Sequence, residues 1–171
     1  MNKIAKFEKV SYEEFQKANV GVSEEEWRNV YDEIRLPERA TKRSAGYDIF
    51  APYAFTLHSG ETLKIPTGIR VKIEGDWALM LFPRSGLGFK YRLQLDNTVG
   101  IVDADYYDSD NEGHIFCKIT CDAKEDKILS VEKGKAFCQG VFLPFGITVD
   151  DNVETARNGG FGSTDGKNAS R

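Results

Sequence analysis

No stretch of this 171-residue chain approaches the roughly 20 consecutive apolar residues needed to span a bilayer. The opening MNKIAKFEKVSYEEF has no apolar h-region of the kind a secretory signal carries. The expectation is a cytoplasmic protein with no membrane partner. Basic excess is missing as well: 23 lysines and arginines stand against 27 aspartates and glutamates, a formal net charge of -4, so charge gives no reason to expect a nucleic-acid polymer as partner. Cysteine is scarce. Cys117, Cys121 and Cys138 cannot all pair within the chain, which fits a reducing compartment. A zinc site would have to recruit His114, but in a strand HIFCKITC His114 and Cys117 point to opposite faces. Ile115, Cys117, Ile119 and Cys121 share one face and read as core. There is no internal repeat and no low-complexity tract. What is present, 40% hydrophobic and 29% charged residues, is the composition of a single globular domain long enough to bury a real core.

The chain divides by period. Ser11 is followed three places later by Glu14, with Val10 and Phe15 placed as a hydrophobic staple; Ser23, Glu26, Val22 and Trp27 repeat the arrangement, marking two helix starts. Trp27, Val30, Tyr31 and Ile34 form one apolar stripe that ends at Leu36-Pro37, so residues 1–38 are expected to be a helical extension packed on the main body. From about Thr41 the period becomes two: Ile69, Val71 and Ile73 alternate with Arg70 and Lys72, and Trp77, Leu79 and Leu81 alternate with Ala78, Met80 and Phe82. HSGE, PTG, EGD and EKGK punctuate these runs. Short strands without helical crossovers predict an all-β sandwich or barrel over residues 39–156. The tail 157–171, rich in glycine and small polar residues around Phe161, cannot bury enough apolar area to hold itself folded. It is either a frayed end or a flap that orders over a ligand.

Several patches carry possible chemistry. NTVGIVDADYYDSDNEGHI, residues 97–115, runs an aliphatic strand into Asp103 and Asp105. Burying an unpaired carboxylate is costly, so either the strand leaves the core for a solvated loop or Asp103 is a general base at the rim of a pocket. In PRSGLG, residues 83–88, an arginine and a serine on a glycine turn can offer a charged fork, a hydroxyl and amides to one anion. AGYDIFA sets Asp48 inside an apolar strand, where Arg84 would serve as its partner. Gln139 in FCQGVFLPF either satisfies backbone or points into a site. The acidic turn DSDNEG, 108–113, fails as a calcium loop because Ile119 stands where the bidentate glutamate belongs; it reads as a solvated hairpin tip. The tail is not a Walker A loop, since Phe161 precedes Gly166 by five, and Asp165 breaks a GxGxxG pattern.

In order, AGYD, PRSGLG, NTVGIVDADY, GKAFCQ and RNGGFGST resemble the five motifs of the homotrimeric, all-β dUTPase family. The resemblance implies a jelly-roll-like β barrel with active sites shared between subunits. It implies cleavage of dUTP to dUMP and pyrophosphate, limiting uracil incorporation into DNA and supplying dUMP for thymidylate synthesis. By this resemblance Asp103 is the general base for the attacking water, Tyr106 packs on the deoxyribose, and Asn97 with the backbone of Gly100, Ile101 and Val102 meets the uracil edge. Arg84, Ser85 and Gly86 hold the α- and β-phosphates, Gln139 contacts the α-phosphate or the water, and Asp48 supports Arg84. Mg2+ is held mainly by the triphosphate, with Asp48 reaching it through water. Phe161 stacks on uracil while Arg157, Gly162, Ser163 and Thr164 close on the γ-phosphate.

The chain departs from the family pattern in three places. The turn after Tyr106 is longer and more acidic, Asp165 interrupts GSTG, and GKAFCQ carries Lys135 and Phe137 where the family often has an acidic and an aliphatic residue. Asp105, if it continued a strand, would face the same side as Asp103; the base role goes to Asp103. Two other readings stand beside this one: a dCTP deaminase of the same fold, and a nucleotide-responsive regulatory protein whose N-terminal helices recruit a protein partner.

Overall fold

The structure, a computed structural model, describes residues 2–124 and 126–154. Its N-terminal segment opens with a strand that no sequence signal announced: β1 (Ala5–Lys9) pairs antiparallel with β6 (Ile69–Ile73). Two helices follow, α1 (Tyr12–Gln16) and α2 (Glu24–Asp32). Ser23 and Glu26 form the reciprocal capping box read from the sequence. At α1 only half of the expected box is local. Ser11 Oγ accepts the Glu14 N–H at 3.1 Å, but the Ser11 N–H donates at 2.7 Å to Glu112, 101 residues away. Glu14, released from capping, is buried and pairs with Lys17 at 2.6 Å.

The remaining strands are β2 (Glu38–Arg39), β3 (Tyr47–Phe50), β4 (Phe55–His58), β5 (Thr62–Pro66), β7 (Trp77–Pro83), β8 (Leu93–Leu95), β9 (Gly100–Val102), β10 (Phe116–Cys121), β11 (Ile128–Val131) and β12 (Ala136–Pro144). All pairings among the described residues are antiparallel. They make a five-stranded sheet in the order β2-β3-β12-β7-β9, a three-stranded sheet β5-β10-β8, and the pairs β1-β6 and β11-β4. The sheets stack without closing into a barrel, so the jelly-roll-like expectation holds in its sandwich form.

Alternation explains the core. Ile49, Leu79, Leu81 and Phe137 from the five-stranded sheet, and Ile65, Leu93, Cys117, Ile119 and Cys121 from the three-stranded sheet, are all buried, the inward halves of period-two runs. Cys117, Cys121 and Cys138 are free and buried, as core packing requires. His114 precedes β10 rather than lying in it; it is fully buried, and its ring packs 4.2 Å from that of Phe116, on the face opposite Cys117.

The helical stripe is covered by the body of the protein. Phe15 and Trp27 are fully buried and stack with ring centroids 4.5 Å apart, and the Trp27 indole N–H donates to the Phe15 carbonyl at 3.1 Å. Phe15 and Ile34 close on Gly68, whose φ of +69° and crowded surroundings leave no room for a Cβ.

Candidate active site

The sheet register assembles the first group of predicted residues. Asp48 of β3 lies opposite Gln139 of β12, and Gln139 lies opposite Phe82 of β7. Partners directly opposite share a face. Beyond Pro83 the chain enters α3 (Ser85–Tyr91), with Arg84 as its N-cap residue; PRSGLG is therefore a helix start and not a glycine turn. Arg84 Nε sits 3.3 Å from Asp48 Oδ1, the pairing expected from the sequence. Arg84 is 45% exposed, so the ion pair adds at most about 1 kcal/mol to stability. Its larger effect is to hold the guanidinium in place through Nε. Ser85 and Gly86 are exposed beside it, and no side chain caps the first-turn amides. The Gln139 amide donates to the Pro83 carbonyl at 3.3 Å. Gly46 makes room for it, because a Cβ there would stand 2.5 Å from Gln139 Oε1.

The second group lies on the turn that joins β8, paired with β10, to β9, paired with β7. Thr98 adopts φ +66°, its N–H donates to the Leu95 carbonyl at 2.8 Å and the Val99 N–H to Asn97 at 2.7 Å, forming a tight turn. Asn97 and Gly100 line a cavity of about 300 Å³ with the apolar side chains of Leu81, Leu95 and Phe116. Apolar walls with a few polar groups are the character of a small-molecule pocket. Lys64 and Lys118 stand at its rim. Lys118 pairs with Asp96 at 2.8 Å, and hydrogen bonds from Lys118 and Thr120 hold the Asp96 carboxyl below its ordinary range. The sequence reading missed Leu81, Leu95 and Phe116 as walls. The alternation in FCKITC, which sends Phe116 and Lys118 to the face opposite Cys117, was the signal available for Phe116.

Asp103 comes directly after β9, half-buried, as N-cap of a 3-10 turn over Ala104–Asp108. Because the strand stops at Val102, Asp105 does not continue it to the Asp103 side; it sits exposed in the turn. Tyr106 is buried, and its hydroxyl donates to the His114 carbonyl at 2.8 Å while accepting the Asn111 side-chain amide at 2.8 Å. The acidic turn is thus no solvated tip. Ser109 is buried and Glu112 binds Ser11 through both the backbone N–H (2.7 Å) and the hydroxyl (2.6 Å). Length alone could not reveal this, because the partners lie 101 residues away.

Asp103 and Arg84 do not meet within one chain. Val102 pairs with Leu79, which places Asp103 beside Ala78 near the start of β7, whereas Arg84 follows its end. Six residues of strand separate the two positions by about 20 Å. Arg157, Phe161, Gly162, Ser163 and Thr164 lie outside the described residues.

A jelly-roll-like sandwich with a paired arginine at one strand end and an apolar, amide-edged pocket at the β8–β9 turn defines a class: all-β proteins able to take a small anionic ligand. A family model described as dUTPase matches residues 32–165. A deoxyuridine 5'-triphosphate nucleotidohydrolase of Lactococcus lactis subsp. lactis is 42% identical over 134 residues, covering 77% of this chain and 88% of that protein. The one from Hahella chejuensis is 39% identical over 142 residues, covering 78% and 88%. Among solved structures, a dUTPase from Streptococcus mutans superposes with a TM-score of 0.61 at 30% identity, over 83% of this chain and 97% of that one. A Staphylococcus bacteriophage 80alpha dUTPase with dUPNHPP shares the fold at a TM-score of 0.62 and 23% identity, over 90% of each chain. The chain belongs to the dUTPase family.

Proposed function

We propose that this chain is a dUTP diphosphatase whose active sites are completed between copies of itself. The observation that carries the shared site is the separation along β7: the base candidate Asp103 and the phosphate group Arg84–Asp48–Gln139 sit at opposite ends of one strand, too far apart to act on one triphosphate. A second copy supplies the missing half. Exposed apolar side chains on the segment leaving β12, Phe145, Ile147, Val149 and Val153, give such a copy something to cover. The family resemblance supports a homotrimer, acting in this reading in the cytoplasm.

In this mechanism the cavity at the β8–β9 turn takes uracil, with Asn97 and the backbone of Gly100, Ile101 and Val102 reading its edge. Backbone donors and acceptors in fixed order reject cytosine because the mismatch strands buried polar groups. Tyr106 forms the floor under the deoxyribose. The Asp103 carboxylate orients a water against the α-phosphorus and takes its proton. As the new P–O bond forms, the bond from the α-phosphorus to the bridging oxygen breaks and its electron pair leaves with pyrophosphate. A carboxylate is a weak base for water, so most of the acceleration comes from positioning and charge stabilisation. Arg84 supplies charge, Ser85 and Gly86 grip the α- and β-phosphates, and Gln139 fixes the water or the α-phosphate. The tail closes over the γ-phosphate through Arg157, Phe161, Gly162, Ser163 and Thr164.

Mg2+ fits as a companion of the substrate. The carboxylate of Asp48, beside Arg84, is a hard oxygen donor of the kind Mg2+ takes. When bound, the ion neutralises triphosphate charge; Asp48 would touch it through water while keeping Arg84 aligned.

Incubation with dUTP, dCTP, dTTP and UTP, with and without Mg2+, tests the reaction: pyrophosphate from dUTP alone is expected, and ammonia from dCTP would replace this reading with a deaminase. Mixing inactive Asp103→Asn and Arg84→Ala proteins, unfolded and refolded together, tests the sharing. Activity should reappear in the mixture. Two inactive parents giving an inactive mixture would place each site within one chain.

A further inference from the structure

We infer that Asn111, on the turn that follows Tyr106, is a positioning residue that fixes the Tyr106 ring, and that the N-terminal segment holds it there, so that rejection of a 2′-hydroxyl depends on residues 109–113 and Ser11. This rests on the reading of Tyr106 as the floor of the deoxyribose site.

A steric filter works only if its wall cannot retreat. Excluding one hydroxyl requires the wall to stay within about 0.5 Å of its place, and a tyrosine held only by its ring would rotate or slide by more. Here the hydroxyl at the far end of the ring is held twice: it donates to the His114 carbonyl at 2.8 Å and accepts from Asn111 Nδ2 at 2.8 Å. Asn111 is anchored in turn. Its side-chain oxygen accepts the Gly113 N–H at 3.3 Å, and its backbone carbonyl accepts the His114 N–H at 3.0 Å.

The turn itself is pressed onto the Tyr106 backbone. Glu112 and Gly113 both take positive φ, +56° and +69°, and a Cβ on residue 113 would stand 2.7 Å from the Tyr106 carbonyl oxygen and 2.8 Å from Tyr107 Cα. Glu112 is not a residue that enters this conformation readily. What keeps it there comes from the other end of the chain: its two carboxylate oxygens accept the Ser11 N–H at 2.7 Å and the Ser11 hydroxyl at 2.6 Å. A neighbouring tie runs parallel, from the Tyr107 hydroxyl to Glu8 at 2.5 Å. Ser11 and Glu8 precede the residues matched by the family model, 32–165. The long acidic turn and the N-terminal segment are therefore two halves of one joint, and the ring under the sugar is what the joint holds.

The test uses the full-length protein and the ratio of kcat/KM for dUTP to that for UTP. Asn111→Ala should lower the ratio by about tenfold or more, and Ser11→Ala, which loosens only the joint, by a smaller factor. In a Tyr106→Phe background, where the hydroxyl is gone, Asn111→Ala should change the ratio no further. A merely structural role would lower the melting temperature and slow both substrates together, leaving the ratio in place. Tyr106→Ala separates the two levels of the argument. If it collapses the ratio while Asn111→Ala and Ser11→Ala leave it unchanged, the positioning role is overturned and the floor reading stands. If Tyr106→Ala itself leaves the ratio unchanged, the floor reading falls and this inference falls with it. Should Asn111→Ala fail to fold, Ser11→Ala decides alone.

Discussion

The backbone N–H of Gly68 donates to Nε2 of His114 at 3.0 Å, a bond that exists only while the imidazole is neutral. Burial pushes the His114 pKa down from 6.5 to about 4, with nearby Lys64 adding to the effect and Glu112 opposing it. Glu14 lies 4.0 Å from the other ring nitrogen. The unfolded chain therefore binds a proton that the folded chain refuses between these values. Stability is complete above the unfolded value of 6.5, falls as pH drops through the window, and by about pH 4 has lost roughly 3 kcal/mol. His114→Gln keeps an acceptor for Gly68 without the titration, so its melting temperature should fall less steeply than that of the wild type across this range. Equal slopes would rule out His114 as the source.

Asp103 stands half-buried where β9 gives way to the 3-10 turn. Asp103→Asn keeps the shape and removes the base, so binding of an unreactive dUTP analogue should be nearly unchanged while turnover drops at least about a hundredfold. Near-normal turnover would take Asp103 out of the chemistry.

Asp48→Asn separates stability from activity. The Arg84–Asp48 contact is partly exposed, so the variant should lose no more than about 1 kcal/mol in urea denaturation. Its kcat/KM should fall much further, because a guanidinium no longer aimed at phosphate costs transition-state stabilisation. A loss of activity no larger than the loss of stability predicts would show that the pairing is structural.

Trp27→Ala asks what the N-terminal helices do. Trp27 is fully buried against Phe15, so its removal should destabilise the whole fold by about 3–5 kcal/mol. A variant as stable as the wild type would make the helices an appended recognition module. Truncation after Ala156, by contrast, should cost activity and leave the melting temperature in place; an unchanged rate would remove the tail from catalysis.

Much of this fold was legible in the sequence because its signals are local. The inward set Leu79, Leu81, Cys117, Ile119 and Cys121 follows from alternation, and the Ser23–Glu26 box from spacing within four residues. The Asp48–Arg84 pair is legible as well, since a carboxylate in an apolar strand requires a cation. The features without a local signal share one cause. β1 was unannounced because a short edge strand with mixed polarity has no distinctive pattern until β6 pairs with it. The turn 108–113 was read as solvated because its composition is acidic, yet Glu112 has Ser11 and Arg70 for partners.

By itself, the sequence determined the strand-rich class, the two capped helices, the cysteine-lined core and the order of the motifs, since each depends on residues near one another along the chain and on the period of the backbone they occupy. Only the tertiary structure decided which of those residues meet. It set Asp103 and Arg84 at opposite ends of β7, buried His114 beneath α1, and tied Tyr106 through Asn111 and Glu112 to Ser11. Such contacts depend on strand register and chain reversal, which arise from the packing of the whole core and leave no local periodicity behind them.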